Sequence, residues 1–460
     1  MGGLNSILNI GSGALMTSQA ELDTTAHNIA NANTDGYTRQ EVMTEASAPI
    51  QMSYGYVGSG VTITGIKGIR DAFVNEQVTN MNSDLSQANI EQQVGSTVEG
   101  IFNETSNSTS GLVAQLNALF GAFQTLSQTP EDAGVRQTVL QAGQNVATTF
   151  NSLNNQLTDA SYQVGQQIGF DVTKINQLAG TIAGINKQIL ANSGTSGASS
   201  DLQDQLNNAV TQLSNLINVK VVTDANGTTN VTAGGAVLVA AGTAFNFKMT
   251  QTASGITIGR SDSTVPATVS SGEIAGLLNS YDNLIPSFSS QLDSIANTLV
   301  KTVNAFNSAG YTLPAGGAAA QTGKTFFQGT SAGSIAISPD ILNNLNNIAA
   351  SSNGDPGNGE NAAAMANVLN APVMGNGQSI MDAYQALVTQ VGTASQNASN
   401  SVQTLQIQQN QLTAFQTSIS GVSLDQELTN MIQFQHSFEA AAKVVTTADS
   451  MYQTVIGMVS

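Results

Sequence analysis

Residues able to do chemistry are few in this chain, and their spacing suits none of the familiar reactions. His27 and His436 are the only histidines. A histidine acts as general base or metal ligand only in the company of carboxylates or further ligands. No His/Asp/Glu cluster with ligand spacing surrounds either one, so both read as ordinary polar positions. Cysteine is absent, which removes thiolate nucleophiles, Cys-based zinc sites and any disulfide framework. Gly11-Ser12-Gly13 lacks the preceding strand and the following Lys-Ser/Thr of a phosphate loop, and reads as a Gly-softened helix. Asp224-Ala225-Asn226-Gly227 and Asn353-Gly354-Asp355 offer calcium-loop oxygens without the closing bidentate Glu, and read as turns. Asn-x-Ser/Thr triplets at Asn103, Asn107 and Asn230 are chance products of a chain rich in those residues. No Ser/His/acid or paired-carboxylate constellation can be assembled. The expectation is a protein without an active site, a metal or a cofactor.

The spacing that carries information is apolar. Leu8, Leu15, Leu22 and Ile29 recur every seven residues near the N-terminus, with Leu4 ahead of them. Leu424, Met431, Phe438, Val445, Tyr452 and Val459 do the same near the C-terminus, with Leu428 beside them. A seven-residue apolar repeat is a helix seam that needs a partner helix. The simplest solution pairs the first helix with the last and presents both termini as a stalk. The other N-terminal seam positions, Gly11, Ser18 and Thr25, are small. So few apolar side chains offset only part of the backbone entropy of ordering such a segment. The expectation is a hairpin that becomes stable when neighbouring subunits cover it, with the two stripes as its assembly interface.

Composition narrows the partners. The 460-residue chain carries 30 acidic and 12 basic residues, a net charge of −18. Nucleic acid and anionic membranes recruit Lys and Arg, so neither is expected as a partner. Only 9% of residues are charged, against about 25% in average proteins; Ser, Thr, Asn and Gln supply the polarity. No apolar run approaches the ~20 residues that span a bilayer. The first 38 residues hold no Lys or Arg, so a cleavable secretory signal is not expected. A Cys-free chain suits export through a narrow channel, since no cross-link obstructs threading.

Along the chain, periodicity predicts one helix over 4–32, roughly 44 Å long. Asn33-Thr34-Asp35-Gly36 ends it, and an irregular, partly β segment follows over 37–66. Helices are predicted from about 69 to 103 and through Leu112–Phe123, with a break at 106–111. A very long helix follows, started by Thr129 as N-cap and Pro130 at the first helical position. It has a weak patch near Gln167–Asp171. A Gly/Ser-rich stretch (193–200) precedes a helix over Leu202–Ile217. Residues 218–260 read as a small antiparallel unit with Asn226-Gly227 as a hairpin signal. Helices return over 273–306, briefly at Ala362–Leu369, over 380–419, and after Gly421. There Ser423 can cap the last helix, with Asp425 and Glu427 near its positive end. The fold class is therefore mainly α with a β-containing insertion: a long-helix bundle, a terminal coiled-coil hairpin and nested domains. The predicted domains are 1–66 with 420–460 (terminal coiled coil), 67–217 with 272–310 and 376–419 (bundle), and 218–271 with 311–375 (outer, β-containing).

The run from Ala26 to Gln40, with Asn28, Ala30, Asn31, Asn33, Gly36, Tyr37 and Arg39, resembles the N-terminal signature of bacterial flagellar rod, hook and hook-associated proteins. Leu424–Met458, including Phe438–Val444 and Thr447-Ala448-Asp449, resembles the matching C-terminal signature. The layout from Thr129 to Phe150 and the region from Gly310-Tyr311 to Phe326-Phe327 are similar to hook-associated proteins of the first hook–filament junction zone. The chain is short for that family, which implies a reduced or absent outer domain. The resemblance implies a secreted, structural subunit of the extracellular flagellum. It would leave the cell unfolded through the type III export apparatus, escorted by an export chaperone that holds its C-terminal segment. It would then polymerise with copies of itself between hook protein and the second hook–filament junction protein, its terminal hairpin lining a central channel. A distal rod or hook subunit, or an exported coiled-coil adhesin, is the alternative. A β-rich body over residues 70–200 would favour the hook.

Overall fold

The computed structural model of the protein describes residues 2–52, 55–103, 111–192, 200–224, 227–252, 255–314 and 319–459. Long helices dominate it, with small sheets inserted between them. Helix α1 (Gly2–Asn31) leads into an arm of two antiparallel pairs. In the arm β1 (Gln40–Ala46) pairs with β4 (Val61–Gly68), and β2 (Ile50–Met52) with β3 (Gly55–Val57). The body begins with α2 (Ala72–Phe102), α3 (Leu112–Gln128), α4 (Ala133–Asn192) and α5 (Ser200–Leu216). It continues with α6 (Glu273–Asn279), which passes through one π turn, Ser280–Leu284, into α7 (Ile285–Ala309). After the short α8 (Pro339–Asn343) and α9 (Glu360–Ala366), helix α10 (Ile380–Ser420) returns along α2, and α11 (Leu424–Val459) returns along α1. The stretch that a hook-like body would make β-rich is thus helical.

Three caps fix the helix starts. Asp71 Oδ1 accepts from the backbone N–H groups of Phe73 and Val74 to start α2 (2.9 and 3.1 Å). Ser379 and Asp382 form a reciprocal capping box on α10. The start of α4 departs from the expectation by three residues. Thr129 ends α3, residues 130 and 131 turn, and Asp132 Oδ1 accepts from Gly134 N and Val135 N (2.7 and 3.1 Å). An aspartate carboxylate satisfies those orphan donors directly, and Pro130 is freed to turn its carbonyl toward Arg136. The Nε and Nη2 of Arg136 donate to Pro130 O, and Nη1 donates to Leu345 O and Ile348 O. Arg136 is only 1% exposed, and burial lowers its pKa to about 10.

Helix α4 spans 60 residues, about 90 Å, and is unbroken across the patch at Gln167–Asp171. Ile168 and Val172 carry the buried stripe through it. The expected breaks at 106–111 and 193–200 fall almost wholly outside the described residues. The expected antiparallel unit forms a four-stranded sheet, β5 (Val219–Thr223), β6 (Thr229–Ala233), β7 (Ala236–Ala240), β8 (Thr243–Ala244), followed by the hairpin β9 (Phe247–Thr252) and β10 (Gly255–Arg260). It leans on the C-terminal half of α4. There Asn186 Nδ2 donates to Thr229 O and Ala241 O while its Oδ1 accepts from Thr229 N, and Asn176 brackets Phe247 in the same way. Gly227, at φ 81°, supplies the left-handed residue of the β5–β6 turn.

The segment 311–375 lies elsewhere. Its Phe326 ring lies tilted against Phe123 and edge-on to Phe327, and a Cβ on Gly143 would come within 2.8 Å of Ile337 and Phe326. Asn151 Nδ2 donates to Ala332 O at 2.7 Å. Residues 218–271 and 311–375, grouped by composition as one outer unit, therefore pack against opposite halves of α4. Composition reports polarity and turn content, and says nothing about which part of a ~90 Å helix a segment meets.

Candidate assembly interface

Helices α1 and α11 run antiparallel. Tyr452 OH donates to Asn5 Oδ1 (2.8 Å) near the tip, a Cβ on Gly11 would sit 2.8 Å from Val445 Cγ2 midway, and Asn28 Nδ2 donates to Glu427 Oε2 (3.1 Å) at the base. Stepping by seven from these contacts places Ser18 opposite Phe438 and Thr25 opposite Met431. It also places Leu8 and Leu15 opposite Ala448 and Ala441. Gly11, Ser18 and Thr25 are buried on α1, with Ser6, Thr17, Thr24 and Asn28, and Glu427, Ala441 and Ala448 are buried on α11. By apolarity alone those small positions are weak seam residues. They let the helices approach closely, each small residue receiving a larger one across the seam.

Leu4, Leu8, Leu15, Leu22 and Ile29 are half-buried beside those positions, as are Met431, Phe438, Val445 and Tyr452. Leu424 and Leu428 are exposed, and the side chain of Val459 lies outside the described residues. Around the pair an apolar surface stays open: Met16 is 67%, Ile432 57%, Ile456 60% and Met458 81% exposed. Near the tip a groove of about 900 Å³ is lined by Ile7, Ile10, Met52, Val57, Met451 and Val455. His27 and His436 do not meet. The antiparallel register sets them about seven residues, or about 10 Å, apart along the axis. His27 lies 3.5 Å from Asp201, and His436 faces Glu439 on its own helix. Among the described residues no three His, Cys, Asp or Glu side chains converge as metal ligands. No helix is long and apolar enough to cross a membrane.

The motif after α1 forms the joint between hairpin and body. Asn28, 1% exposed, is its centre. Its Nδ2 donates to Gln40 O (2.9 Å) and Glu427, and its Oδ1 accepts from Tyr37 OH (2.8 Å) and Gln40 N (2.9 Å). Every hydrogen-bonding direction of one amide is thereby used. Burial, then the negative charges of Asp201, Asp204 and Glu427, push the Tyr37 hydroxyl well above its usual pKa, so it stays a donor. Asn31 Nδ2 donates to His27 O and its Oδ1 accepts from Thr34, closing the helix end. Gly36 takes φ 75° in the turn. Arg39 N donates to Ser420 O, and its guanidinium pairs with Glu41 at 2.9 Å. Ala30 and Asn33 are exposed and contribute no such contact here.

The body reaches this joint from the first turn of α5. Asp204 accepts from Thr38 N, Thr38 Oγ1 and Arg70 Nη2 (3.1, 2.6 and 2.7 Å), and Asp201 accepts from Gln40 Nε2 (2.7 Å). None of Asp201, Asp204, Arg70 or Glu427 was singled out as a joint residue from sequence. From sequence, Glu427 is an acid near the positive end of the last helix. Only the fold brings these four side chains to one joint.

Residues 95–327, about half of the chain, match the family described as the flagellar hook-associated protein FlgK helical domain. Residues 8–38 match flagella basal body rod protein, and 416–458 match the flagellar basal body rod FlgEFG protein C-terminal family. Flagellar hook-associated protein 1 of Bacillus subtilis is 31% identical, with 96% of each chain covered. Its Escherichia coli counterpart is 26% identical over 99% of this chain and 100% of that one. The solved flagellar hook junction protein FlgK from Burkholderia pseudomallei shares the fold, with a TM-score of 0.64 at 16% identity over 75% of this chain and 100% of that one. The helical-domain match and the near full-length kinship with the Bacillus protein show that this chain belongs to the flagellar hook-associated protein 1 family.

Proposed function

We propose that this chain is a structural subunit of the bacterial flagellum that forms the junction between hook and filament, and that it is not an enzyme. It leaves the cell unfolded through the type III export apparatus with the help of an export chaperone, and resides in the extracellular flagellum. Its assembly domain is 1–66 with 420–460, and its bundle is 67–217 with 272–310 and 376–419. It polymerises with its own copies through α1 and α11, meeting hook protein on one side and the second hook–filament junction protein on the other. The observation that carries this reading is the apolar surface left open along the α1–α11 pair, out to Met458 at 81% exposure. Open apolar surface of that extent marks an association face.

Two experiments test it. Deleting the gene should leave hooks intact, abolish filaments and shed filament subunits into the medium; normal filaments in the deletion strain would refute the assignment. In the purified chain, limited proteolysis should remove about 30–65 N-terminal and about 40 C-terminal residues before the body is cut, since uncovered ends open most readily. Ends as resistant as the body would refute folding on assembly.

A further inference from the structure

We infer that the buried Asn28–Glu427 pair is a polar lock that selects the axial register of the terminal coiled coil. The apolar layers do not select it. Small residues face large ones in the observed register: Gly11 against Val445, Ser18 against Phe438, Leu15 against Ala441. Sliding α1 outward by one heptad preserves that pattern, with Gly11 meeting Tyr452, Ser18 meeting Val445, Leu15 meeting Ala448 and Leu22 meeting Ala441. A repeat of seven reproduces itself under a shift of seven. The covalent connection leaves room for the slide. Eight residues, 32–39, join α1 to β1 and can extend to roughly 26 Å, while one heptad is about 10 Å.

The polar contacts have no such repeat. A one-heptad slide strips Asn28 of all four hydrogen bonds, to Gln40 O, Gln40 N, Tyr37 and Glu427. It also carries the Asn28 amide away from the Glu427 carboxylate, which is 2% exposed in the observed register. A buried amide and carboxylate without partners are strongly disfavoured. A single buried polar position in an otherwise repetitive seam is a known way to fix register. Glu427 is thus a positioning residue for assembly, acting through Asn28. The lock rests on the hairpin geometry, so its test is separate from the deletion phenotype above.

The absence of native cysteine makes disulfide trapping clean. Two double variants of the full-length chain are oxidised in intact hook–filament assemblies, where neighbouring copies cover the hairpin: Leu15→Cys with Ala441→Cys, which reports the observed register, and Leu15→Cys with Ala448→Cys, which reports the slid one. In the parent background the first pair should close at least about tenfold faster, since disulfides tolerate little separation. With Glu427→Leu or Asn28→Leu added, the preference should fall to within about threefold, while Glu427→Gln, which keeps an acceptor, should retain it. The thermal transition of the body should be unchanged in all of them. An undiminished preference in both leucine variants would show that the chain connections alone hold the register. Equal closure of the two pairs in the parent would show that no register is selected. Either result overturns the lock.

Discussion

Asp171 offers a test of how the body's core is charged. It lies midway along α4 and is 3% exposed. Gln167 Nε2 donates to its Oδ1 at 2.9 Å, and its Oδ2 has no partner. Burial and the neighbouring Glu273 carboxylate raise its pKa from 3.8 to about 6, with Gln167 and Lys174 opposing the rise. Burial raises Glu273 too. A carboxyl with a raised folded-state pKa favours the folded state most when protonated. Its contribution is fully present below the unfolded value, near 3.8, and is lost as pH rises through about 6. The shift of about two units corresponds to about 3 kcal/mol of stability forfeited at pH 7. Asp171→Asn removes that loss but places an amide NH₂ where Oδ2 lacked a partner, which costs about 1 kcal/mol. The variant should therefore be about 2 kcal/mol more stable than the parent at pH 7 and no more stable at pH 4. Urea unfolding followed by circular dichroism at pH 4, 5, 6 and 7 measures both limbs. A stability difference that is the same at every pH, or a destabilised variant at pH 7, would refute the charged-core reasoning.

Arg136→Ala should destabilise the body by about 3–5 kcal/mol in the same unfolding assay, because it empties a buried, fully packed site and takes the donors away from the carbonyls of Pro130 and Ile348. Gly11→Leu should block closure of the α1–α11 seam, where even a Cβ meets Val445 Cγ2 at 2.8 Å. Overpacking of that kind costs about 1–3 kcal/mol, so cells carrying it should lose filaments while the purified variant melts like the parent. Gly359→Ala should destabilise the contact between α3 and the short helix α9 (Glu360–Ala366), since its Cβ collides with the Ser127 carbonyl; a melting temperature equal to the parent's would contradict this.

Local pattern carried a large part of the fold. The helix expected over 69–103 is α2, the strand unit expected over 218–260 contains six strands, and the Asn-Gly pair marks a turn whose Gly227 is left-handed. Such elements follow from periodicity and turn chemistry within a few residues of each other. The misreading at Thr129-Pro130 has the same scale: several acceptors lay within four residues, and Asp132 won because its carboxylate reaches two amides. The site was only half legible. The motif around Asn28 stood out by resemblance, but its chemical content, an amide saturated by Gln40, Tyr37 and Glu427, spans 399 residues of sequence separation.

The sequence by itself determined that the two ends of this chain are amphipathic helices with matching seven-residue repeats, and that the body is a bundle of long helices. Those are properties of composition and period, which act over a few helical turns. Only the tertiary structure decided that small residues rather than leucines line the seam, that the register is marked by one buried amide–carboxylate contact, and that Asp201 and Asp204 clasp the joint. The reason is physical. A helix pattern defines a face to about a third of its circumference, whereas which line within that face is buried depends on how closely two backbones approach. That distance is set by pairs of residues hundreds of positions apart.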